Sequence, residues 1–168
     1  VHNMNIDFGK IKLVASDCDG VLTDGGMYYT EQGDVMKKFN VLDGMGFVLL
    51  QKAGIKTAII TAENNPLLKK RAEKLKIDYF RTGSKDKLKV LSELCQTMGI
   101  TIKEAAYIGD DIFDVPAIKA CGFGCVPNDA FEEIKESADY VTKRSGGCGA
   151  FREMANLILK VINYEKEQ

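Results

Sequence analysis

Short apolar runs alternate with stretches of helical period along the whole chain, and no other feature limits the possible folds as much. Lys12–Ser16, Lys56–Ile60, Tyr79–Phe80, Ala105–Ile108, Phe123–Val126 and Tyr140–Val141 have the length and composition of buried strands. Between them, Gly44–Ala53, Pro66–Lys76, Lys85–Met98, Val115–Ala120, Phe131–Glu136 and Ala150–Ile162 space their apolar residues as helices do. Strands separated by helices pair in parallel, because a parallel neighbour can be reached only by a long crossover. The expected fold is therefore α/β, a three-layer Rossmann-like arrangement with a parallel sheet and helices on both faces.

One segment breaks the alternation. In Gly26–Phe39, two apolar arms flank Glu31-Gln32-Gly33-Asp34, a turn-forming group, which predicts a β-hairpin flap projecting from the loop after the first strand. Two helix entries carry capping chemistry: Asn64 or Asn65 ahead of Pro66, and Ser84 ahead of the helix that holds Lys87. No repeat, low-complexity tract or linker divides the 168 residues, so residues 1–168 are expected to form one domain, ending in a glycine-rich tail and helix over 145–168.

Composition narrows the function classes. With 23 Lys and Arg against 24 Asp and Glu, the net charge of -1 supplies no general field toward nucleic acid or an anionic membrane, so a bound anion needs a local site. The five cysteines include no CxxC pair, and no apolar run of about 18 residues is present, which reads as free thiols in a reducing cytoplasm. Cys121 and Cys125 flank Gly122-Phe123-Gly124 in an apolar stretch and read as buried structural thiols. Val1-His2-Asn3 ahead of Met4 reads as an expression remnant, so the single histidine lies outside the working sequence and acid-base chemistry falls to carboxylates.

Those carboxylates stand at strand ends. The first strand runs into Asp17-Cys18-Asp19-Gly20, at the edge of an α/β sheet where ligands bind. Asp17 and Asp19 point to the same side of an extended chain and repel unless a proton or a cation intervenes; a magnesium ion, which takes oxygen ligands, meets that need. Gly109-Asp110-Asp111-Ile112-Phe113-Asp114 follows Ala105–Ile108 on the same edge and can supply a further ligand, although Asp110 or Asp111 can equally cap the next helix. Thr61 ends the second long strand and Lys87 opens a helix, giving a hydroxyl and an ammonium to hold phosphoryl oxygens. A strand-end threonine or a first-turn lysine means little alone; the order and placement of all four features carry the argument.

DxD, Thr, Lys and GDDxxD, each after a strand or at a helix start, resemble the four signature motifs of the haloacid dehalogenase superfamily, from Leu13 to about Lys160. The resemblance implies an Mg2+-dependent phosphatase in which Asp17 is the nucleophile and Asp19 the general acid and base, with Thr61 and Lys87 completing the catalytic set. It implies a metal held by Asp17, Asp19 and Asp110 with Asp111 or Asp114 in support. Asp17 to Thr61 leaves room only for the hairpin and one helix, and Thr61 to Lys87 for one helix and a short strand, so no cap domain is expected.

DCDGVLTDG, FNVLDGMG, YIGDD and SGGCGAFRE further resemble the capless branch that dephosphorylates 3-deoxy-2-keto sugar acids such as 3-deoxy-D-manno-octulosonate (KDO) 8-phosphate. That branch implies a cytoplasmic homotetramer in cell-surface sugar biosynthesis, with a neighbour's hairpin and tail closing each site and Ser145–Gly149 as a flexible tail. Two arginines of the KDO 8-phosphate pattern are absent, since this chain has Thr61-Ala62-Glu63 and Gly147-Cys148-Gly149. Glu63, Arg71 and Lys74 instead resemble the substrate-binding pattern of the sister phosphatases acting on KDN or N-acylneuraminate 9-phosphate, in the sialic acid group. The plainer reading of Arg71 and Lys74 is a charged, solvated helix face.

Two rival functions remain in view. A receiver domain of phospho-signalling also sets acids, Thr and Lys on a parallel sheet, but its accepting Asp follows a middle strand, whereas here DxD comes first. A non-catalytic structural or regulatory domain of the same fold is the other; it would tolerate loss of the motif acids, all of which are present.

Overall fold

The computed structural model describes residues 6–166; Val1-His2-Asn3 and Met4 lie outside that range. Among the described residues six strands form one sheet, β1 (Leu13–Ser16), β4 (Lys56–Ile60), β5 (Tyr79–Arg81), β6 (Ala105–Ile108), β7 (Phe123–Val126) and β8 (Tyr140–Val141). Their order is β5-β4-β1-β6-β7-β8 and every pairing is parallel. β2 (Tyr28–Thr30) and β3 (Gly33–Met36) form the separate antiparallel hairpin, turning through Gly33 at φ 105°.

Alternation along the central strands sends side chains into two cores. Val14, Ile59, Ile108 and Phe123 face one layer, and Leu13, Ala15, Ile60 and Tyr107 the other. Helices α1 (Val41–Lys52), α2 (Pro66–Lys74) and α6 (Ala150–Lys166) cover the first face through Phe47, Leu68 and Phe151; α3 (Lys87–Met98), α4 (Val115–Ala120) and the short α5 (Glu132–Lys135) cover the second through Leu91, Ile118 and Ile134. The Phe47 and Phe151 rings stack with centroids 3.8 Å apart, and burying one such ring contributes about 3 kcal/mol. This is the three-layer α/β architecture expected. No helix among the described residues is long and apolar enough to cross a membrane.

Several element boundaries differ from the sequence expectation, each for a local reason. α1 starts at Val41 rather than Gly44 because the Asn40 side chain accepts from the Leu42 amide; the first turn is hidden from the periodicity by exposed Val41 and Leu42. Asn65 caps α2 as expected, but α3 is capped by Asp86, which accepts from the Lys89 amide, and not by Ser84. Between β1 and β4 the chain holds only the hairpin and α1, and between β4 and α3 only α2 and β5, so no cap domain is inserted there.

The glycine run is the larger correction. The expected flexible tail at Ser145–Gly149 is a packed brace with Gly146, Gly147 and Gly149 buried: Gly147 donates to the Val21 carbonyl at 2.8 Å and Gly146 to Asp129 Oδ1 at 2.9 Å. The segment is fixed from the far side by Asp43 of α1, only 2% exposed, whose carboxylate accepts from the Gly149 and Arg152 amides at 3.2 and 3.1 Å. Burial raises the Asp43 carboxyl above its ordinary range, and those amide bonds at the start of α6 partly offset the rise.

Candidate active site

The carboxyl ends of β1, β4 and β6 meet in a cleft of about 280 Å³, lined by Asp17, Asp19, Thr61, Glu63, Lys87 and Asp110 among others. β1 and β6 pair with Ser16 opposite Ile108, and the Asp17 amide donates to the Ile108 carbonyl at 2.9 Å, so the register brings Asp17 beside Asp110. Asp17, Asp110 and Asp114 each place one carboxylate oxygen within 4.8 Å of the others. Residues 93 positions apart thus share one pocket, as the sequence motifs require (110 minus 17).

Lys87 enters from the second face of the sheet. Its side chain is 2% exposed, and Nζ donates to Asp17 Oδ1 and to the Ile60 carbonyl, both at 2.7 Å. The Cys18 amide also donates to Asp17 Oδ1, at 2.7 Å. Both hydrogen bonds fall on Oδ1, so Oδ2 is the oxygen left for chemistry. The Thr61 hydroxyl accepts from the Glu63 amide at 3.1 Å, which leaves its proton for a bound oxyanion.

Asp114 has another task. Its Oδ1 accepts from the Tyr107 hydroxyl at 2.6 Å and its Oδ2 from the Asp110 and Asp111 amides, each at 3.1 Å. These bonds make Asp114 a brace for the Asp110 loop, and it also lies close enough to Asp17 and Asp110 to share an ion with them. Asp111 is exposed at the rim and its Oδ1 accepts from the Ile112 amide. Tyr107 escaped the sequence reading; the only hint was a phenol on an otherwise apolar strand.

The pocket fits a hard cation. Asp110 Oδ1 is buried and has no hydrogen-bond partner among the described residues. Burial, with the neighbouring acids, pushes Asp110 up to about 8. Burial and then Asp114 push Asp17 up to about 7, against the pull of Lys87. Gly20, at φ 81°, allows the approach: a Cβ there would stand 1.9 Å from Asp110 Oδ2. Crowded oxygen donors short of positive charge suit Mg2+, which Asp17 and Asp110 could hold.

A stability prediction follows. Folded pKa values above the unfolded carboxylate value mean that the native protein binds more protons between about pH 4 and 8, so without metal its stability falls as pH rises through that window. In chelator, the Tm should be lower at pH 8 than at pH 5.5, and saturating Mg2+ at pH 8 should raise it by roughly 5–10 °C. A metal-free Tm that does not decline across this range, measured by calorimetry, would contradict the crowding of acids.

Asp19 lies across the cleft. Its Oδ1 accepts from Lys37 Nζ at 2.8 Å and from the Thr23 hydroxyl at 3.4 Å. Lys37 was absent from the sequence expectation, because nothing in the hairpin's pattern says which residue turns back toward the DxD loop. The proposed substrate residues are not brought together in one chain. Glu63 lines the cleft; Arg71 does not, and instead donates to the Asn40 carbonyl at 3.3 Å with its guanidinium 5.3 Å from the Phe39 ring centroid. Lys74, exposed at the end of α2, does not line the cleft either.

Comparisons agree with this geometry. A family model described as haloacid dehalogenase-like hydrolase matches residues 77–149. The 3-deoxy-D-manno-octulosonate 8-phosphate phosphatase of Haemophilus influenzae is 41% identical over 151 residues, which span 90% of this chain and 84% of that protein. A crystal structure of the Moraxella catarrhalis 3-deoxy-D-manno-octulosonate 8-phosphate phosphatase, in complex with a magnesium ion, a phosphate ion and KDO, superposes with a TM-score of 0.90 at 39% identity, covering 95% of this chain and 92% of that one. The cobalt-bound H. influenzae structure also gives 0.90 at 39% identity, covering 93% and 91%.

Proposed function

The chain belongs to the haloacid dehalogenase-like hydrolases, as a relative of the 3-deoxy-D-manno-octulosonate 8-phosphate phosphatases, and from that premise we propose that it hydrolyses the terminal phosphate of KDO 8-phosphate. The observation that carries the reading is the convergence of Asp17, Lys87 and Asp110 at one sheet edge, with Thr61 and Asp19 lining the same cleft.

Asp17 Oδ2 attacks phosphorus in line with the leaving sugar oxygen, giving an aspartyl phosphate. Asp19 gives its proton to the departing oxygen, and then takes one from the water that cleaves the acyl phosphate. Lys87 and the Thr61 hydroxyl hold phosphoryl oxygens, and the Lys87 ammonium lessens the repulsion between Asp17 and the incoming anion. Asp17, the Asp19 carbonyl and Asp110 would hold magnesium, which would supply positive charge against that anion. Asp114 keeps the Asp110 loop in place through its two amide bonds.

The hairpin supports an assembled enzyme. Met27, Tyr29, Val35 and Met36 are 66%, 68%, 48% and 54% exposed, an apolar set suited to contact with another copy. A cytoplasmic homotetramer, in which a neighbour's hairpin narrows the open cleft, would supply the water exclusion that a capless site lacks.

A second substrate has one observation in its favour: Glu63 lines the cleft where the KDO 8-phosphate pattern places the arginine of Thr-Gly-Arg. Glu63 suits a nonulosonate hydroxyl, and Arg71 or Lys74 would suit its carboxylate. The test is kcat/KM for KDO 8-phosphate, KDN 9-phosphate and N-acetylneuraminate 9-phosphate in Mg2+. A preference of at least about tenfold for KDO 8-phosphate supports the proposal, and a reversed order moves the enzyme to the nine-carbon acids.

A further inference from the structure

The β2–β3 hairpin is separate from the main sheet and largely exposed, yet it buries one side chain against the cleft. Lys37, just past β3, is 2% exposed along its side chain and reaches two carboxylates, Asp19 Oδ1 at 2.8 Å and Asp34 Oδ2 at 3.0 Å. Asp34 is itself held, because Asn65 Nδ2 donates to the same Oδ2 at 3.2 Å while the Asn65 Oδ1 caps α2 through the Leu67 amide. A continuous set of polar contacts therefore runs from the start of α2, through Asp34 and Lys37, to Asp19.

An ordered lysine is a costly choice for charge balance alone, since it gives up the rotamer freedom of a long side chain. Its effect on Asp19 is directional. An aspartate carboxylate can present either oxygen by rotating about its last bond. Lys37 and the Thr23 hydroxyl both occupy Oδ1, and Oδ2 is left buried without a partner in the described residues. The oxygen that must exchange a proton with the leaving group is thereby selected before substrate arrives.

We propose that Lys37 is a positioning residue that holds the Asp19 carboxylate with Oδ2 toward the leaving oxygen, so that the hairpin sets the acid of the reaction. The proposal rests on the reading of Asp19 as that acid and deepens it. Nothing covalent changes at Lys37: the proton moves from Asp19 to the departing oxygen as the phosphorus–oxygen bond breaks.

Leaving-group dependence tests the idea, because an alkoxide must be protonated to depart and p-nitrophenolate need not be. The quantity read is kcat/KM in saturating Mg2+, which reports steps up to the first irreversible bond cleavage. For Lys37→Met, the value with an alkyl phosphate substrate should fall roughly 10²-fold, and with p-nitrophenyl phosphate at least ten times less. Lys37→Arg keeps a cationic donor and should recover most of the alkyl-to-aryl ratio. Equal losses on both substrates would mean that Lys37 only supports the hairpin, and would overturn the proposal. Asp19→Asn separates the two layers of the argument. If Asp19→Asn shows the leaving-group dependence and Lys37→Met does not, the Lys37 role fails while the acid assignment stands. If Asp19→Asn shows none, both fall together.

Discussion

Asp17→Asn should be a folded protein with turnover reduced by at least about 10⁴-fold. The amide oxygen can occupy the place of Oδ1 and keep the donors from Lys87 Nζ and the Cys18 amide, so the local hydrogen bonds survive. The amide nitrogen then stands where the attacking oxygen was, and it is a far poorer nucleophile. The same substitution removes one negative charge from a pocket in which burial and mutual repulsion already push Asp17 and Asp110 upward. The metal-free variant should therefore melt no lower than the parent at pH 8, which separates loss of chemistry from loss of fold. Phosphate release measured alongside thermal melting checks both parts. Undiminished hydrolysis by Asp17→Asn would dispose of the nucleophile assignment.

Gly146→Ala should lose both stability and activity, although Gly146 does not line the cleft. A Cβ at this position would lie 1.8 Å from the Gly20 carbonyl oxygen and 2.7 Å from its carbon. Both obstacles are backbone, so no side chain can rotate away. Gly20 cannot retreat toward the cleft either, since its own Cα lies against the Asp110 carboxylate. Three layers, the glycine brace, the DxD loop and the acid of β6, are thus stacked without slack. Alanine at 146 should cost about 1–3 kcal/mol by overpacking and shift the DxD loop relative to Asp110. The expected readout is a Tm drop of roughly 2–10 °C, a Mg2+ requirement raised at least about tenfold, and kcat/KM lowered about 10²-fold. A variant with parental magnesium dependence and activity would show that the brace does not govern the site.

The sheet and the main catalytic residues could be read from the sequence because each depends on neighbours in the chain. Strand-length apolar runs, and acids placed immediately after them, fix which edge carries the chemistry; β4, β6, β7 and β8 coincide with the expected spans. The glycine brace was misread because a glycine needed for close packing and one needed for mobility look alike in sequence. Only the distance to Gly20 tells them apart. Lys37 and Tyr107 were hidden for a related reason: their partners, Asp19 and Asp114, are set by how a hairpin folds back and how a loop turns after β6. Asp114 stands within reach of the ion pocket, as its place in GDDxxD suggests, but its second task, bracing the loop through Tyr107 and two amides, has no signal in the sequence. Arg71 and Lys74 share the charged face of α2, and a surface helix pattern carries no statement about which chain's cleft, if any, it serves.

β1 is the first strand among the described residues and lies in the middle of the sheet, flanked by β4 and β6. During synthesis one of its edges stays bare until Lys56–Ile60 emerges, and the other until Ala105–Ile108 does. At about 5–20 residues per second on the ribosome, the nascent strand waits for seconds with unmatched amides and carbonyls that any extended segment could capture. Truncated products lacking β6 are thus candidates for clumping, and because they also lack Asp110 such fragments carry no half-competent hydrolase.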